Sequence, residues 1–389
     1  MSFFDRIKWS ILSINNFFSF LFTIKKTLKG KKRTLVVFSH DGSDKGGAPV
    51  VLFTLLKNMD LKDYNVVILF KTGGPLVNKC RKQGYHSYIY HYIYSLYLFV
   101  LAGKVDSIII NTVICGNVIN FLQKQDSYKS VNIIWWIHEG KDMFEVVKRK
   151  LPKKLNSNIK IACVSDISKK IFQNFYPHSH VKILHYGILD RYNYIYSKGS
   201  PKNNSKFVIS VIGMLCDRKN QLQMLNLLKE LPPLVRNSIR VNIISATWDI
   251  KYKEQFMYRA NGIKQIKFIA GLSHEKILKM YNQTNLLISC SKLDPLPVVV
   301  TEAMMMECPC LISSGCGQYR YIQDGVNGYR YNVNDINEMK RKLLYAIKNK
   351  NDKRLRQRER ETYLRNFSMG QAVAKMTEYI NSKEKVNCE

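Results

Sequence analysis

The 389-residue sequence predicts an α/β protein built from two doubly wound parallel-sheet domains in tandem. Short apolar segments recur along the chain with helical segments between several of them, which is typical of strands buried on both faces of a parallel sheet. A polar segment, 196–206, interrupts this alternation, which then restarts. The length suits two domains, and a hydrophobic content of 46% lets each bury a core.

The first domain is predicted over 34–195 and the second over 207–365, with 196–206 as the linker. Strands are expected at 34–40, 65–70, 107–111, 132–138, 160–165 and 181–186, then at 207–213, 240–246, 266–271, 285–291 and 308–314. Helices are expected at 48–59, 220–230, 274–282 and 301–307, and from Asp335 onwards, and residues 366–389 are expected to form a C-terminal helix that crosses back to the first domain. Ligand sites of such sheets lie at the carboxyl ends of the strands, and two facing domains place a ligand in the cleft between them.

Residues 1–33 are predicted to form a basic amphipathic segment that lies in a membrane interface. The apolar stretch 9–24 is broken by Asn15 and Asn16 and is shorter than the ~20 apolar residues of a spanning helix. Six basic residues follow it within 25–33, and aromatic residues between basic flanks suit an interfacial helix. The alternative is a helix packed on the protein's own surface.

The formal net charge of +32 indicates an anionic partner: a membrane surface, a phosphorylated ligand or nucleic acid. The alternative is that part of this charge only reflects an AT-rich genome, which would make Lys, Asn, Ile and Tyr all abundant, as they are here. The sequence contains no RNP, zinc-finger or basic-helix motif, so no specific nucleic acid is expected. The nine cysteines are scattered and odd in number, which indicates reduced thiols in the cytosol, and no metal site is expected.

Two motifs of the first domain follow strands. In "SHDGSDKGGAPVVL" (39–52), Gly46 and Gly47 precede a helix, so the backbone and the helix amides could approach a phosphate. An ordinary strand-to-helix turn is the alternative. In "WWIHEG" (135–140), His138 sits where ligand-facing residues of parallel sheets lie, although a structural histidine is the commoner case.

Two motifs of the second domain have the chemistry of a nucleotide-sugar site. In "GMLCDRKNQ" (213–221), Arg218 and Lys219 stand before a helix and suit a diphosphate, with a solvated basic turn as the alternative. In "DPLPVVVTEAMMMECP" (294–309), Asp294 and Glu302 flank a predicted helix start. Carboxylates accept hydrogen bonds from sugar hydroxyls, and the amides of a first helical turn can meet a phosphate.

The sequence resembles the family-4 glycosyltransferases, which have the GT-B fold of two Rossmann-like domains. The family's most specific motif is an acid, seven residues and a glutamate, here Asp294 to Glu302. The rest of the pattern follows in order over 34–365: "GGAP" (46–49), "IHE" (137–139), "VS" (164–165), "HYGI" (185–188), "RKNQ" (218–221), "FIAGLSHEKILKMY" (268–281) and "DGVNGY" (324–329).

The resemblance implies a role for each site residue. Glu302 would hold the donor ribose, Asp294 the donor sugar, and Arg218 and Lys219 the diphosphate, while His138 would lie near the anomeric centre. Further donor contacts would come from the following positions: Gly46, Gly47, Gly213, Val298 and Val299. The sequence departs from the family pattern twice, since the first motif acid is usually Glu and Met214 replaces a frequent arginine, so Arg218 is expected to substitute for it.

The resemblance also implies a reaction. A sugar would pass from a nucleotide-diphosphate sugar to a glycan or lipid-linked acceptor of a bacterial surface polysaccharide such as capsule, O-antigen or wall glycan, with retention of configuration. No metal or other cofactor is expected, since no D-x-D motif occurs. The protein would be cytoplasmic and peripheral on the inner face of an anionic membrane. The alternatives are a nucleotide-sugar epimerase, against which the acid–seven–Glu spacing argues, and an inactive binding protein.

Overall fold

The computed structural model describes residues 3–28, 32–44, 47–196 and 205–382. It divides into two compact units. The first unit contains the chain up to Gly187 together with the residues from Ala372 onwards, and the second is Ile188–Gln371. This division falls before the predicted linker 196–206, of which 197–204 lie outside the described residues.

The first unit is built on seven parallel strands. They are β1 Arg33–Ser39, β2 Tyr64–Phe70, β3 His86–Ile89, β4 Ser107–Asn111, β5 Asn132–Ile137, β6 Ile159–Cys163 and β7 Val181–Ile183. Their order across the sheet is β3-β2-β1-β4-β5-β6-β7, so the order reverses at β1, which pairs with β2 on one side and β4 on the other. Such a reversal is where parallel sheets bind ligands.

Seven helices precede and connect these strands. They are α1 Phe3–Thr27, α2 Gly47–Asn58, α3 Pro75–Lys82, α4 Tyr94–Leu101, α5 Gly116–Leu122, α6 Lys141–Val147 and α7 Asp166–Phe175. The central strand β4 is buried over its whole length and β1 is buried except for Arg33, as the sequence predicts for a doubly covered sheet.

The second unit contains a parallel sheet of six strands. They are β8 Phe207–Ile212, β9 Ile239–Ser245, β10 Ile266–Ala270, β11 Leu286–Ser289, β12 Cys310–Ser313 and β13 Tyr329–Tyr331, in the order β10-β9-β8-β11-β12-β13. The remaining helices are α8 Tyr192–Tyr196, α9 Leu222–Glu230, α10 Pro233–Asn237, α11 Ile250–Ala260, α12 His274–Tyr281, α13 Val298–Met305, α14 Ile336–Lys348, α15 Lys353–Asn366 and α16 Met369–Asn381. The predicted fold class, two doubly wound parallel sheets, is confirmed.

Two strands, β3 and β13, are absent from the sequence prediction. The tyrosine-rich segment 85–99 contains β3 and most of α4. Tyr88, Tyr90 and Tyr97 are buried, so much of the segment is core, while Tyr92 and Phe99 are exposed.

Helix α1, Phe3–Thr27, lies within the predicted segment 1–33 and extends beyond the apolar stretch 9–24 on both sides. By length and composition alone, Phe4–Ile24 could cross a membrane, so the expectation of a segment too short to span is wrong. One face of the helix nevertheless packs on the first unit. Asn16 Oδ1 accepts a hydrogen bond from Ile89 N at 3.2 Å, and buried Phe20 contacts the rings of Tyr88 and Tyr97.

The end of α16 packs along the amino ends of the strands of the first unit. Asn381 Oδ1 accepts hydrogen bonds from Arg33 at 2.8 Å and from Tyr64 at 2.9 Å. The carbonyl oxygen of Tyr379 accepts a hydrogen bond from Asn132 Nδ2 at 2.8 Å. Residues from both ends of the described chain therefore stabilise the same sheet.

A carboxyl group is fully buried in α15 of the second unit. Glu359 is 0% exposed, and its Oε1 accepts a hydrogen bond from Cys310 N at 2.9 Å. Its Oε2 has no hydrogen-bond partner among the described residues. Burial raises the pKa of Glu359 to about 8, because the charged form is poorly solvated there.

We expect Glu359→Gln to gain stability relative to the wild type as the pH rises. A raised carboxyl pKa means that the folded state binds its proton more tightly than the unfolded state. The wild type therefore loses stability above the unfolded pKa of ~4.5, by up to about 1.4 kcal/mol per pH unit, until the folded pKa is passed. Urea unfolding at pH 5.5 and 8.5 measures the difference, with Glu254→Gln, which changes an exposed acid on α11, as a control. Parallel pH profiles for Glu359→Gln and wild type would contradict the burial argument.

Candidate functional site

The carboxyl end of the second sheet brings two predicted motifs together. β8 ends before Gly213, whose φ of 143° lies in the region that favours glycine. A Cβ at this position would lie 3.5 Å from the Lys219 side chain, an ordinary contact, so the backbone conformation rather than space favours glycine here. A short 3₁₀ turn over Asp217–Lys219 then presents both predicted cations.

Asp294 is the residue on which both cations converge. Lys219 Nζ forms an ion pair with Asp294 Oδ2, and Arg218 Nη1 lies 3.5 Å from the same oxygen. Arg218 also donates to the carbonyl oxygen of Leu293 at 3.1 Å. The Lys219 and Asp294 side chains are only 14% and 11% exposed. The resemblance implied that Asp294 holds sugar hydroxyls; in the structure it anchors the cations assigned to the diphosphate.

Backbone contacts fix the loop that carries Asp294. Its amide donates to the carbonyl oxygen of Gly315 at 2.7 Å, and its carbonyl oxygen accepts from Gly317 N at 3.0 Å. Any Cβ at Gly315 would meet the carbonyl oxygen of Ser291 at 2.2 Å, so only glycine fits this close approach. Gln318 Nε2 donates to the carbonyl oxygen of Pro297 at 2.9 Å, which holds the residue before α13.

Helix α13 begins at Val298, three residues before the predicted start at 301. Amides of a first helical turn have no partner inside the helix, so those of Val298 and Val299 are placed as the sequence analysis expected. Val298 is 37% exposed. Behind them, Ala303 and Met304 are buried in the core.

Glu302 is held by two side chains of α12 that the sequence analysis did not assign. Its Oε1 lies 2.6 Å from His274 Nε2, and its Oε2 accepts a hydrogen bond from the Tyr281 hydroxyl at 3.2 Å. The hydrogen bond to Glu302 raises the pKa of His274. The two residues are seven positions apart, so they share one helical face; this spacing was the available signal.

Of the site residues predicted in the first unit, the structure describes Gly47 and His138, which lie at the carboxyl ends of the strands. Gly46 is outside the described residues, and Gly47 is the exposed first residue of α2. His138 follows β5, and its Nε2 is buried without a hydrogen-bond partner among the described residues. Burial lowers the pKa of His138 to about 3, so its imidazole is neutral near pH 7.

A cavity of about 710 Å³ lies elsewhere in the first unit. It opens at the amino ends of β6 and β7, and its lining includes Lys160, Lys182 and Tyr379. None of the predicted site residues lines it, and it lies at the opposite edge of the sheet from His138. Across the described ranges, no group of three or more His, Cys, Asp or Glu side chains is arranged to hold a metal ion.

Comparisons with known proteins show the family of this chain. The family model described as glycosyl transferases group 1 matches residues 195–362, and that described as glycosyl-transferase family 4 matches residues 30–182. The chain belongs to the family-4 glycosyltransferases. No curated protein sequence matches this glycosyltransferase significantly.

Solved structures share its GT-B fold. Anabaena HepE in complex with UDP is 14% identical with a TM-score of 0.67, over 89% of this chain and 98% of that one. The lipopolysaccharide outer core galactosyltransferase WaaB is 14% identical with a TM-score of 0.70, over 89% and 99%. A glycosyltransferase from Rickettsia africae is 14% identical with a TM-score of 0.68, over 91% and 100%.

We expect Lys219→Met to destabilise the second unit of the glycosyltransferase, because it leaves the Asp294 carboxylate buried without its closest cation. The loss should approach about 3 kcal/mol, the usual cost of breaking a buried ion pair from one side. Adding Asp294→Asn should recover much of the lost stability, because it removes the carboxylate that was left without its closest cation. Urea unfolding of the two single variants and the double variant gives the coupling energy.

The exposed pair Arg365–Glu361 provides a matched control. Its members are 77% and 43% exposed, so the same double-mutant cycle should give a coupling below about 1 kcal/mol. Equal coupling at the two pairs would show that burial does not strengthen the contact between Lys219 and Asp294.

Proposed function

We propose that the protein is a retaining, metal-independent glycosyltransferase that uses a nucleotide-diphosphate sugar. The observation that carries the proposal is the grouping of Lys219, Arg218 and Asp294 at the edge where α13 begins, with Glu302 one turn into that helix. Cations and first-turn amides suit a diphosphate, and a buried carboxylate suits ribose hydroxyls.

The donor proposal is supported by what similar proteins bind. HepE structures contain UDP, UDP and glucose, or UDP-glucose, and WaaB is a galactosyltransferase of the lipopolysaccharide outer core. We therefore propose a nucleotide sugar as donor, and a glycan or lipid-linked acceptor in surface-polysaccharide synthesis.

The proposed reaction needs little from the protein besides charge and position. The bond between the anomeric carbon and the diphosphate oxygen breaks while the acceptor oxygen bonds to the same face of that carbon. The acceptor proton passes to the leaving diphosphate oxygen, so no protein base is required. Negative charge grows on the diphosphate, and Lys219 and Arg218 are placed to stabilise it. Lys219 has three N–H donors, which allows it to contact Asp294 and a phosphate together.

A thermal-shift screen with UDP-, GDP-, dTDP- and CMP-sugars tests the donor class, because a ligand bound to the folded state raises the melting temperature. Incubation of the stabilising sugar nucleotide with and without candidate acceptors then separates transfer from epimerisation. Transfer requires the acceptor, whereas an epimerase changes the sugar without it. The anomeric configuration of the product, read by NMR, tests retention.

We expect Glu302→Gln to weaken nucleoside-diphosphate binding by about 10- to 100-fold, because a hydrogen bond to a charged group is worth about 1.5–3 kcal/mol. Isothermal titration calorimetry measures the affinity. The control Glu254→Gln changes an exposed acid on α11 of the same unit and should leave the affinity for the nucleoside diphosphate unchanged. Wild-type affinity in Glu302→Gln would remove Glu302 from the donor site.

We also propose that α1 binds an anionic membrane surface, in line with a cytoplasmic, peripheral location. Six of its apolar side chains are exposed at 44% or more: Phe4, Ile7, Ile11, Ile14, Phe18 and Phe22. At ~100° per residue they fall within about 80° of the helix circumference, opposite the face that contains Phe20. An exposed apolar stripe with basic flanks suits the lipid interface.

We expect the double change Phe18→Ser and Phe22→Ser to reduce binding to phosphatidylglycerol-containing vesicles by at least about tenfold. Burial of one phenylalanine side chain in the lipid interface contributes ~1.5–3 kcal/mol to the free energy of binding. Vesicle sedimentation measures this. Leu234→Ser removes a similarly exposed apolar side chain from α10 and serves as control. Undiminished sedimentation of the double variant would contradict docking through this stripe.

A further inference from the structure

Four polar residues gather where three neighbouring strands of the first unit end. Ser39 of β1 pairs with Asn111 of β4, which pairs with Trp136 of β5, so the residues that follow these strands lie at one level of the sheet. We call the resulting group the imidazole cluster. It consists of His40, Thr112, His138 and Glu139.

Thr112 has an unusual backbone conformation. Its φ of 82° and ψ of 155° lie in a region that favours glycine, and a β-branched residue there is strained. Its amide donates to the carbonyl oxygen of Trp136 at 2.8 Å, and its carbonyl oxygen accepts from Trp135 Nε1 at 2.9 Å. These contacts hold the conformation, and the hydroxyl then lies 3.2 Å from His40 Nδ1. The strained threonine thus orients a histidine.

His40 has one ring nitrogen engaged in this way. Nδ1 faces Thr112, so Nε2, on the far side of the ring, points away from it. Burial lowers the pKa of His40, with Asp41 opposing the shift and Lys71 adding to it. His40 is therefore a neutral imidazole near pH 7, and its Nε2 makes no hydrogen bond to any residue that the structure describes, which leaves it for another contact.

His138 presents a second neutral imidazole. Its Nε2 is buried and has no hydrogen-bond partner among the described residues. An unpaired buried nitrogen costs free energy, so a ligand group that pairs with it would be favoured. His40 is close enough to lower the pKa of His138 further.

Glu139 holds the backbone at the ends of the two strands that carry Thr112 and His138. Its Oε2 accepts hydrogen bonds from Val113 N at 3.1 Å and from His138 N at 3.0 Å, so one oxygen ties the end of β4 to the end of β5. The carboxylate is directed at backbone amides and acts on His138 through its main chain.

The chemistry of the imidazole cluster selects a class of ligand. A neutral imidazole offers one donor and one acceptor, and a hydroxyl group can match either. A phosphate accepts only, and it gains no charge compensation from neutral rings. Cations suited to phosphate are held by the second unit, at Arg218 and Lys219. The cluster therefore suits a neutral, hydroxyl-bearing sugar.

We propose that His40 contacts a sugar hydroxyl through Nε2 together with His138, and that Thr112 and Glu139 are positioning residues for the two rings. This inference deepens the proposed function and rests on it. The hydroxyl belongs either to the donor sugar or to the acceptor, and the two sources give different kinetic results.

Two substitutions of His40 separate a ligand contact from a structural one. The amide of Asn reaches the position of Nδ1, and that of Gln reaches the position of Nε2. We expect His40→Gln to stay within about threefold of wild-type kcat/KM and His40→Asn to lose at least tenfold. Thr112→Val keeps the side-chain shape but removes the hydroxyl; because His40→Gln loses the same contact, Thr112→Val should likewise lower kcat/KM by no more than about threefold. Melting temperatures show that each variant is folded.

The assay uses the nucleotide sugar that stabilises the wild type most in the thermal-shift screen, and the matching nucleoside diphosphate. If the hydroxyl is on the donor sugar, calorimetry shows that His40→Asn weakens binding of the nucleotide sugar but leaves binding of the nucleoside diphosphate unchanged. If it is on the acceptor, His40→Asn raises the acceptor KM or lowers kcat with both affinities unchanged. Either result supports the contact.

Three results would overturn the proposed contact between His40 and a sugar hydroxyl. They are wild-type activity in His40→Asn, an active His40→Asn beside an inactive His40→Gln, and equal losses of kcat/KM in the two variants. The second result would show that His40 acts only through Thr112. A wild-type protein that transfers no sugar contradicts the proposed function instead, before any variant is compared.

Discussion

The site of the second unit depends on one buried carboxylate, that of Asp294. A charge removed from water has to be paired, and here Lys219 and Arg218 pair with the same oxygen. This contact ties the loop after β8 to the loop after β11. It also requires Gly315, where no Cβ fits, while the positive φ of Gly213 favours glycine in the loop that carries the lysine. The start of α13 and the position of Glu302 follow from where that loop is held.

The sequence predicted most of the fold because apolar segments such as 107–111 are buried over their whole length. β3 was not recognised, since its tyrosines continue into α4 without a break in pattern, and β13 has only three residues. The position of Glu302 near the start of α13 was predictable from Pro297 and the helix signals. Its partners on α12 were predictable only in part: the spacing of seven residues puts His274 and Tyr281 on one helical face, but nothing in the sequence shows that this face contacts Glu302. The backbone of Thr112 left no signal either, since threonine is not expected at positive φ.

The two units differ in the kind of polar chemistry they present. The second unit places cations beside a carboxylate, which suits an anionic leaving group. The first places neutral imidazoles, with His138 held by Glu139, which suits an uncharged hydroxyl group. Burial is the cause in the first unit, because it disfavours the charged form of histidine. Such a division would allow phosphate and sugar to be recognised by different physical means.

The packing of α16 has a consequence for biosynthesis. Its last residues bind Arg33, Tyr64 and Asn132, which the ribosome makes some 250 to 350 residues earlier. The first sheet is thus left with uncovered strand ends while the whole second unit is translated. Domains usually fold in the order in which they are made. In this chain the N-terminal unit is completed only after the second unit has been made, so a nascent polypeptide exposes that edge until α16 emerges from the ribosome.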